Sequence, residues 1–257
     1  MFDDVLSKIA DKQSAEEIRV RAGGGGVTVA LSSGANIALP EGVLTIADVL
    51  NRATRGSVQS AEESLRHGFV TAPGGHRVGV CGSAIVRNGE LMGWKDISSV
   101  NIRLCKAVPG IADRYADPVR STLIISPPGG GKTTFLRDLI RATSNRGYMV
   151  SVADERGEIA ALVNGVPALD VGRNTDVIEG TSRADAVMML LRAMGPDVIA
   201  TDEITTQADC EALRRAANCG VILFATSHRE DTDTSMFERV IKIRVQNRQR
   251  EYEVIRC

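Results

Sequence analysis

The sequence is poor in aromatic side chains, and this scarcity argues against some classes of function. Phe, Trp and Tyr make up 4% of the 257 residues, with a single Trp. Proteins that hold single-stranded nucleic acid stack its bases on aromatic side chains. The formal net charge is -1, and basic and acidic residues also balance within residues 1–110 and within residues 111–257. We therefore expect no nucleic-acid partner.

Paired cysteines and long apolar runs are also lacking. The five cysteines are scattered, and no two have the spacing of a zinc ribbon or a redox pair. An odd number of scattered cysteines suits a reducing cytosol. No apolar run reaches the roughly 20 residues that cross a bilayer, and residues 1–12 lack the apolar core of a signal peptide. These features predict a cytoplasmic protein whose membrane contact, if any, is peripheral.

The N-terminal part of the chain, residues 1–110, predicts a small α+β domain. Residues 3–21 have a helical pattern that turns strand-like at its end, and short alternating segments follow. Thr45 and Ser60 each precede a helical pattern and are candidate N-caps. The segment 108–121 contains two prolines and several charges, and it reads as a linker.

From residue 111 to residue 257 the pattern changes to buried strands that alternate with long helices. This alternation is the signature of a parallel sheet in an α/β domain. The first strand, TLIIS, is a continuous apolar run, as expected for a strand covered on both faces. A β-hairpin is predicted at the end of the chain, from residue 239 onward.

The segment between this first strand and the next helix has the composition of a phosphate-binding loop. Glycine-rich loops bind phosphates through backbone N–H groups, helped by the positive end of the following helix. Lys132 is expected to reach the phosphate oxygens, and the Thr133 hydroxyl to bind Mg²⁺. The pattern GxxxxGK[ST] is met except at its first position, Ser126. The alternative is a turn that binds nothing, which the strand and helix on either side disfavour. The candidate residues are Ser126, Pro127, Pro128, Gly129, Gly130, Gly131, Lys132, Thr133 and Thr134.

A second motif, this one acidic, lies at the end of the apolar strand PDVIATDE. Its carboxylates, Asp202 and Glu203, match what a Walker B segment needs. One carboxylate orients Mg²⁺, and the other polarises the attacking water. An exposed acidic strand end with no function is the alternative.

Two more strand ends carry polar side chains that could join the same site, because the carboxyl ends of parallel strands face one crevice. Glu155 follows the strand after the phosphate loop and could activate water, with Arg156 nearby. Thr226 or His228, at the end of a later strand, could sense the γ-phosphate. A solvated charge cluster and a structural histidine are the respective alternatives.

Arginines from another domain or subunit can complete a phosphate site. Arg77 and Arg103 stand on predicted strands of the N-terminal domain and are candidates for that role. From the sequence alone, a surface position is the more ordinary interpretation for both.

Taken together, these segments resemble one protein family. In order along the chain they read EIRVRAG, GGHRVGVCG, SPPGGGKTTFLRD, VADERGEIA, LDVGRNTDV, MMLLRAMGPDVIATDEI and ATSH. They are similar to the stage III sporulation protein AA family, over nearly the whole chain. That family is related to the hexameric ATPases of type II and type IV secretion systems and type IV pili. The resemblance implies a small N-terminal domain joined to a RecA-like P-loop ATPase domain.

The resemblance also implies roles for matching positions. The family's Walker A segment carries the same serine as Ser126. Glu203 corresponds to the catalytic carboxylate, and Asp202 to a Mg²⁺-side group. Glu155 matches the acidic box and His228 the histidine box of the secretion ATPases. Arginines of their N-terminal domains reach the nucleotide, which favours Arg77 and Arg103, whereas the arginine after the usual Walker B segment is replaced by threonines here.

The implied function is Mg²⁺-dependent ATP hydrolysis by a ring, expected to be a homohexamer. It would power or gate a channel between mother cell and forespore, with membrane proteins of that channel as partners and the mother-cell cytoplasm as location. Two alternatives stay open: a RecA-like nucleic-acid motor, and a scaffold that binds ATP with little turnover.

Overall fold

A computed structural model describes residues 1–54, 65–66, 68–105, 108–246 and 249–256. The chain divides into two compact units, Met1–Cys105 and Lys106–Cys257. This division lies close to the boundary predicted after residue 110. The helix predicted to start at Ser60 begins outside the described residues.

The N-terminal unit contains a six-stranded antiparallel sheet in the order β3-β2-β1-β6-β5-β4. Its elements are α1 (Asp3–Leu6), a 3-10 turn (Lys12–Ser14), β1 (Ala15–Arg21), β2 (Val27–Leu31), β3 (Asn36–Leu39), α2 (Ile46–Thr54), β4 (Phe69–Ala72), β5 (His76–Arg87) and β6 (Glu90–Arg103). A buried apolar cluster, which includes Ile18, Val49 and Ile102, joins the sheet to α2.

Local signals in this unit are partly confirmed. Thr45 caps α2 as predicted: its hydroxyl accepts a hydrogen bond from the backbone N–H of Asp48, whose carboxylate accepts one from Thr45. The helical pattern at the start of residues 3–21 forms only the short α1, Asp3–Leu6. The strand-like end of the segment is strand β1, as predicted, and its Ile18 and Val20 are buried on one face between β2 and β6.

The C-terminal unit contains a seven-stranded sheet in the order β11-β8-β12-β13-β7-β14-β15. All its neighbouring strands are parallel except the final hairpin pair, β14 and β15. The elements are a 3-10 turn (Asp113–Tyr115), β7 (Thr122–Ile125), α3 (Lys132–Asn145), β8 (Val150–Asp154), the short pair β9 (Leu162–Val163) and β10 (Val166–Pro167), β11 (Thr175–Glu179), α4 (Arg183–Ala193), β12 (Val198–Thr201), α5 (Gln207–Asn218), β13 (Ile222–Ser227), β14 (Arg239–Gln246) and β15 (Gln249–Arg256).

The parallel sheet is buried on both faces. Successive residues of β7 join different cores: Ile124 packs into one apolar cluster, while Leu123 and Ile125 pack into the other. Every residue of β7, β8 and β12 is buried. This explains the continuous apolar runs in the sequence and confirms the predicted α/β class. In the part of the chain that the structure describes, no helix is long and apolar enough to cross a membrane.

Candidate active site

The loop after β7 is shaped by its glycines. The Gly130 N–H donates to the Pro127 carbonyl at 3.1 Å, which closes a tight turn. Gly129 and Gly131 have φ angles of 75° and 99°, a region that side chains rarely allow. A Cβ added to Gly130 would overlap the Ser126 hydroxyl. The predicted glycines are thus required by this loop's own geometry.

Helix α3 starts directly from the loop. Gly131 is its N-cap, and no side chain of the described residues caps it. The first backbone N–H groups of a helix have no intrahelical acceptor, and the helix dipole makes that end positive. The end of α3 therefore offers donors to an anion held in the loop.

A chain of side-chain contacts links the loop to the neighbouring strands. Lys132 is only 7% exposed, and its Nζ donates to the Ser126 carbonyl at 3.1 Å. The same Nζ lies 2.8 Å from His228 Nδ1, and His228 Nε2 lies 2.7 Å from Glu203 Oε1. A neutral imidazole protonated at Nε2 accepts from Lys132 and donates to the carboxylate, whereas one protonated at Nδ1 would instead donate to the Ser126 carbonyl, 3.0 Å away. Burial lowers the pKa of Lys132, and the charge of Glu203 partly opposes that shift.

The backbone of Glu203 is fixed by the next strand. Its N–H donates to the Thr226 hydroxyl at 2.5 Å, and the Ile204 N–H donates to the Thr226 carbonyl at 2.8 Å. Strands β12 and β13 are parallel neighbours, with Thr201 paired to Ala225. The two motifs predicted separately from sequence, the Walker B segment and ATSH, therefore meet side by side.

These groups line one cleft of about 390 Å³. Most of its lining residues were candidates from the sequence, and two, Glu158 and Arg250, were not. The lining consists of Pro128, Gly129, Gly131, Lys132, Thr133, Thr134, Glu158, Asp202, Glu203, Thr226, His228 and Arg250.

A buried arginine forms ion pairs with three carboxylates, one of which belongs to Asp202, the residue before Glu203. Arg183, 4% exposed, lies 3.0 Å from Glu155, 3.2 Å from Asp202 and 3.3 Å from Asp209. Burial raises the pKa of Asp202 to about 6, although the Arg183 charge acts in the opposite direction. Sequence analysis missed Arg183, since nothing in its local pattern separates it from the other arginines.

Glu155, the acid predicted to activate water, joins the cluster around Arg183. Its side chain pairs with Arg183, and among the described residues that line the cleft the acid from this segment is Glu158. The role predicted for Glu155 stays a prediction.

The segment that carries both acids is held from two sides. The Asp154 carboxylate accepts hydrogen bonds from the backbone N–H groups of Glu158, Ile159 and Ala160. From helix α3, Arg137 donates to the carbonyls of Glu158 and Ile159. Burial raises the pKa of Asp154, and these three N–H donors oppose the shift. Asp154 therefore shapes the loop that brings Glu158 to the cleft.

The two arginines predicted to reach the nucleotide lie in the N-terminal unit. Arg77 and Arg103 are directly opposite each other on β5 and β6. The Arg77 guanidinium stacks 3.7 Å from the centre of the Phe69 ring, and Arg103 lies 3.5 Å from a carboxylate oxygen of Glu17. Their contact with a nucleotide stays a prediction.

The cleft fits a nucleotide with its magnesium ion better than a metal held by protein alone. Thr133 and Asp202, the predicted Mg²⁺-side residues, both line it. Within the described ranges, no group of three or more His, Cys, Asp or Glu side chains could hold a metal ion. Magnesium usually keeps several waters and binds through one or two protein groups together with substrate phosphates, which matches this sparse donor set.

Solved structures share the fold. The Legionella pneumophila ATPase DotB aligns with a TM-score of 0.61 at 16% identity, over 98% of this chain and 79% of its own. The pilus retraction motor PilT, crystallised with bound ADP, aligns with a TM-score of 0.62 at 18% identity, over 98% of this chain and 82% of its own. At such identities the likeness shows the fold alone, and it confirms the RecA-like P-loop architecture.

Sequence comparison identifies the family. Stage III sporulation protein AA of Bacillus subtilis (strain 168) is 39% identical over 190 residues, which cover 70% of this chain and 62% of that protein. The match thus spans less than two thirds of the relative's length. The family model described as "Sporulation stage III, protein AA" matches residues 5–256. The chain therefore belongs to the sporulation stage III protein AA family.

Proposed function

We propose that this chain hydrolyses ATP in the cleft of its C-terminal unit. The observation that carries the proposal is the contact chain from Lys132 through His228 to Glu203, which joins a phosphate-binding loop to a buried-strand carboxylate. The loop alone supports only nucleotide binding. A carboxylate held beside it supports hydrolysis, because such a group can orient and polarise an attacking water.

The loop residues bind the phosphate chain. Backbone N–H groups of residues 131–134, at the positive end of α3, donate to phosphate oxygens. The Lys132 ammonium, now bonded to the Ser126 carbonyl and His228, gains a charged acceptor when the β- and γ-phosphates arrive. Thr133 and Asp202 would hold Mg²⁺, which would supply positive charge against the charge that develops on the phosphates.

Glu203 is the carboxylate we assign to water activation. Thr226 fixes its backbone, and His228 contacts its side chain, so its position is determined by two residues of β13 and the following turn. His228 contacts Lys132 as well. This places His228 between the phosphate-binding cation and the water-activating carboxylate, where it can report the presence of the γ-phosphate to both.

Glu155 has a secondary place in this assignment. The family resemblance gives it a catalytic role, but its side chain is paired with Arg183 at 3.0 Å. We therefore assign it to positioning the buried carboxylate cluster that includes Asp202.

The proposed cellular role is supported by the family and the fold rather than by the cleft. Membership in the sporulation stage III protein AA family and the shared fold with DotB and PilT support a motor that works during spore formation. We propose a homohexameric ring in the mother-cell cytoplasm that powers or gates a channel to the forespore, with membrane proteins of that channel as partners. In such a ring Arg77 and Arg103 would reach a nucleotide from the same or a neighbouring subunit.

The hydrolysis proposal is tested by phosphate release from Mg²⁺-ATP. Glu203→Gln keeps the side-chain shape and should lower turnover about 100-fold or more, while ATP binding persists. Glu211→Gln, an exposed position on α5, is the matched control and should turn over at the wild-type rate. A Glu203→Gln variant with wild-type turnover would refute the assignment of the catalytic carboxylate.

A further inference from the structure

The C-terminal hairpin reaches the phosphate loop. Strand β14 runs parallel to β7, with Lys242 paired to Ile125, the last residue of β7. Residues 243–246 therefore continue past the end of β7, on the side where the loop begins. Strand β15 then returns antiparallel, with Arg250 paired to Val245. This register brings Arg250 to the loop.

Arg250 touches the loop at its glycines. Its Nε donates to the Gly130 carbonyl at 3.1 Å. A Cβ added to Gly131 would lie 2.8 Å from the same Nε, closer than real Cβ contacts come. The φ of 99° favours glycine at position 131, and a Cβ there would make the Arg250 side chain move from its place at the loop.

The guanidinium is also part of the cleft. Among the described residues that line the cleft, Lys132 and Arg250 are the basic side chains, and Glu158, Asp202 and Glu203 are the acidic ones. The bond to Gly130 uses Nε alone. The N–H groups on Nη1 and Nη2 form the fork that matches the oxygens of a phosphate.

We propose that Arg250 binds the phosphate chain of the nucleotide, supplied by the C-terminal hairpin of the same chain. This inference rests on the proposed nucleotide site and adds a residue to it. It gives the site an arginine that the Walker B segment does not provide, since Thr205 and Thr206 follow Ile204 there. The bond to Gly130 places the guanidinium at the loop before any phosphate contact is needed.

Two substitutions distinguish phosphate binding by Arg250 from a purely structural role of its hydrogen bond to the Gly130 carbonyl. Arg250→Gln keeps an N–H donor for the Gly130 carbonyl but removes the charge. Arg250→Lys keeps the charge and changes the donor. The probes are a fluorescent ADP, measured by direct titration, and inorganic tripolyphosphate, measured by its competition with that ADP. Arg244→Gln is the control, because Arg244 lies on the same hairpin in an exposed ion pair with Glu253.

If Arg250 contacts phosphate, Arg250→Gln weakens both probes about tenfold or more, Arg250→Lys stays within a few-fold of wild type, and Arg244→Gln matches wild type. Circular dichroism of each variant verifies the fold. Wild-type affinity in Arg250→Gln overturns the inference. The inference is also overturned if Arg250→Lys weakens probe binding more than Arg250→Gln does, because that result means that Arg250 acts by its hydrogen bond to the loop rather than by its charge. A wild-type protein that binds neither probe overturns the proposed function itself, and the inference with it.

Discussion

Arg183 is the buried cation of a cluster of three carboxylates, one of which, Asp202, lines the cleft. It lies at the start of α4, buried, and it pairs with acids from three elements: Glu155 after β8, Asp202 after β12 and Asp209 in α5. Removal of one partner from a buried ion cluster leaves charges without compensation, and this costs more than the cluster contributes as a whole.

Replacement of Arg183 should therefore be costly. Arg183→Leu is expected to lower the free energy of unfolding by about 3 to 5 kcal/mol at neutral pH. Arg192→Ala, an exposed arginine on the same helix, should change it by less than about 0.5 kcal/mol. Urea unfolding curves of the two variants provide the comparison, and equal midpoints would contradict the clustered role of Arg183.

Asp202 should make stability depend on pH. Its pKa is raised from 3.8 to about 6 in the folded protein. At pH values between these two, the folded state keeps a proton on Asp202 that the unfolded state has released. The unfolded state binds fewer protons there, and the free energy of unfolding falls as pH rises. The free energy of unfolding of wild type minus that of Asp202→Asn should therefore fall by roughly 2 kcal/mol from about pH 4 to about pH 7.

The measurement is urea unfolding across that pH range with a chelator present. The exposed Asp176→Asn variant serves as control and should follow the wild-type curve. If wild type and Asp202→Asn give parallel curves, Asp202 does not carry the raised pKa.

At this scale, the sequence predicted the residues that end parallel strands and missed those placed by tertiary contacts. Lys132 could be predicted from the phosphate-loop pattern, and Glu203 and His228 because the carboxyl ends of parallel strands converge. Arg183 and Arg250 could not, because one depends on how α4 packs against two strand ends and the other on the register of a hairpin.

Among the elements, the phosphate loop is the one whose sequence and shape are most tightly coupled. Gly130 does not have a left-handed φ, so alanine is excluded there by space rather than by backbone strain. The space is taken by the Ser126 hydroxyl, and the Pro127 carbonyl is 3.1 Å from the same point. Ser126 and Gly130 should therefore behave as a pair.

A double-mutant cycle tests this coupling. Gly130→Ala should distort the loop and weaken ADP binding by about tenfold or more, equivalent to roughly 1.4 kcal/mol. Ser126→Gly, which removes the hydroxyl, should bind ADP nearly as wild type does. The double variant should recover most of the affinity lost in Gly130→Ala. Additive losses in the double variant would show that the two positions do not share this space.

Element prediction succeeded where a local signal was strong. The turn between β5 and β6 has such a signal in its sequence, Asn88-Gly89, and both residues have positive φ angles. Strand β11 was missed as a structural element; it is partly exposed along most of its length and, among the described strands, pairs with β8 at the edge of the sheet. A single short strand at a sheet edge has no strong period of its own to reveal it.

At the scale of the molecule, two units of different architecture are joined in one chain. The antiparallel N-terminal sheet has one apolar core, whereas the parallel C-terminal sheet has a core on each face. The cleft is built entirely from residues of the C-terminal unit. Nucleotide chemistry is therefore assigned to that unit, and the predicted contribution of Arg77 and Arg103 from the other unit can be tested separately.

The most direct test of the nucleotide site is a single-turnover experiment with this protein in excess over labelled Mg²⁺-ATP. Wild type should bind the ATP and convert it to ADP and phosphate. Lys132→Ala, which lacks the phosphate-binding ammonium, should do neither, while Lys242→Ala, whose ammonium pairs with the exposed Glu230, should match wild type. Unchanged ATP with wild type, or equal conversion by Lys132→Ala, would contradict the assignment of this cleft as an ATPase site.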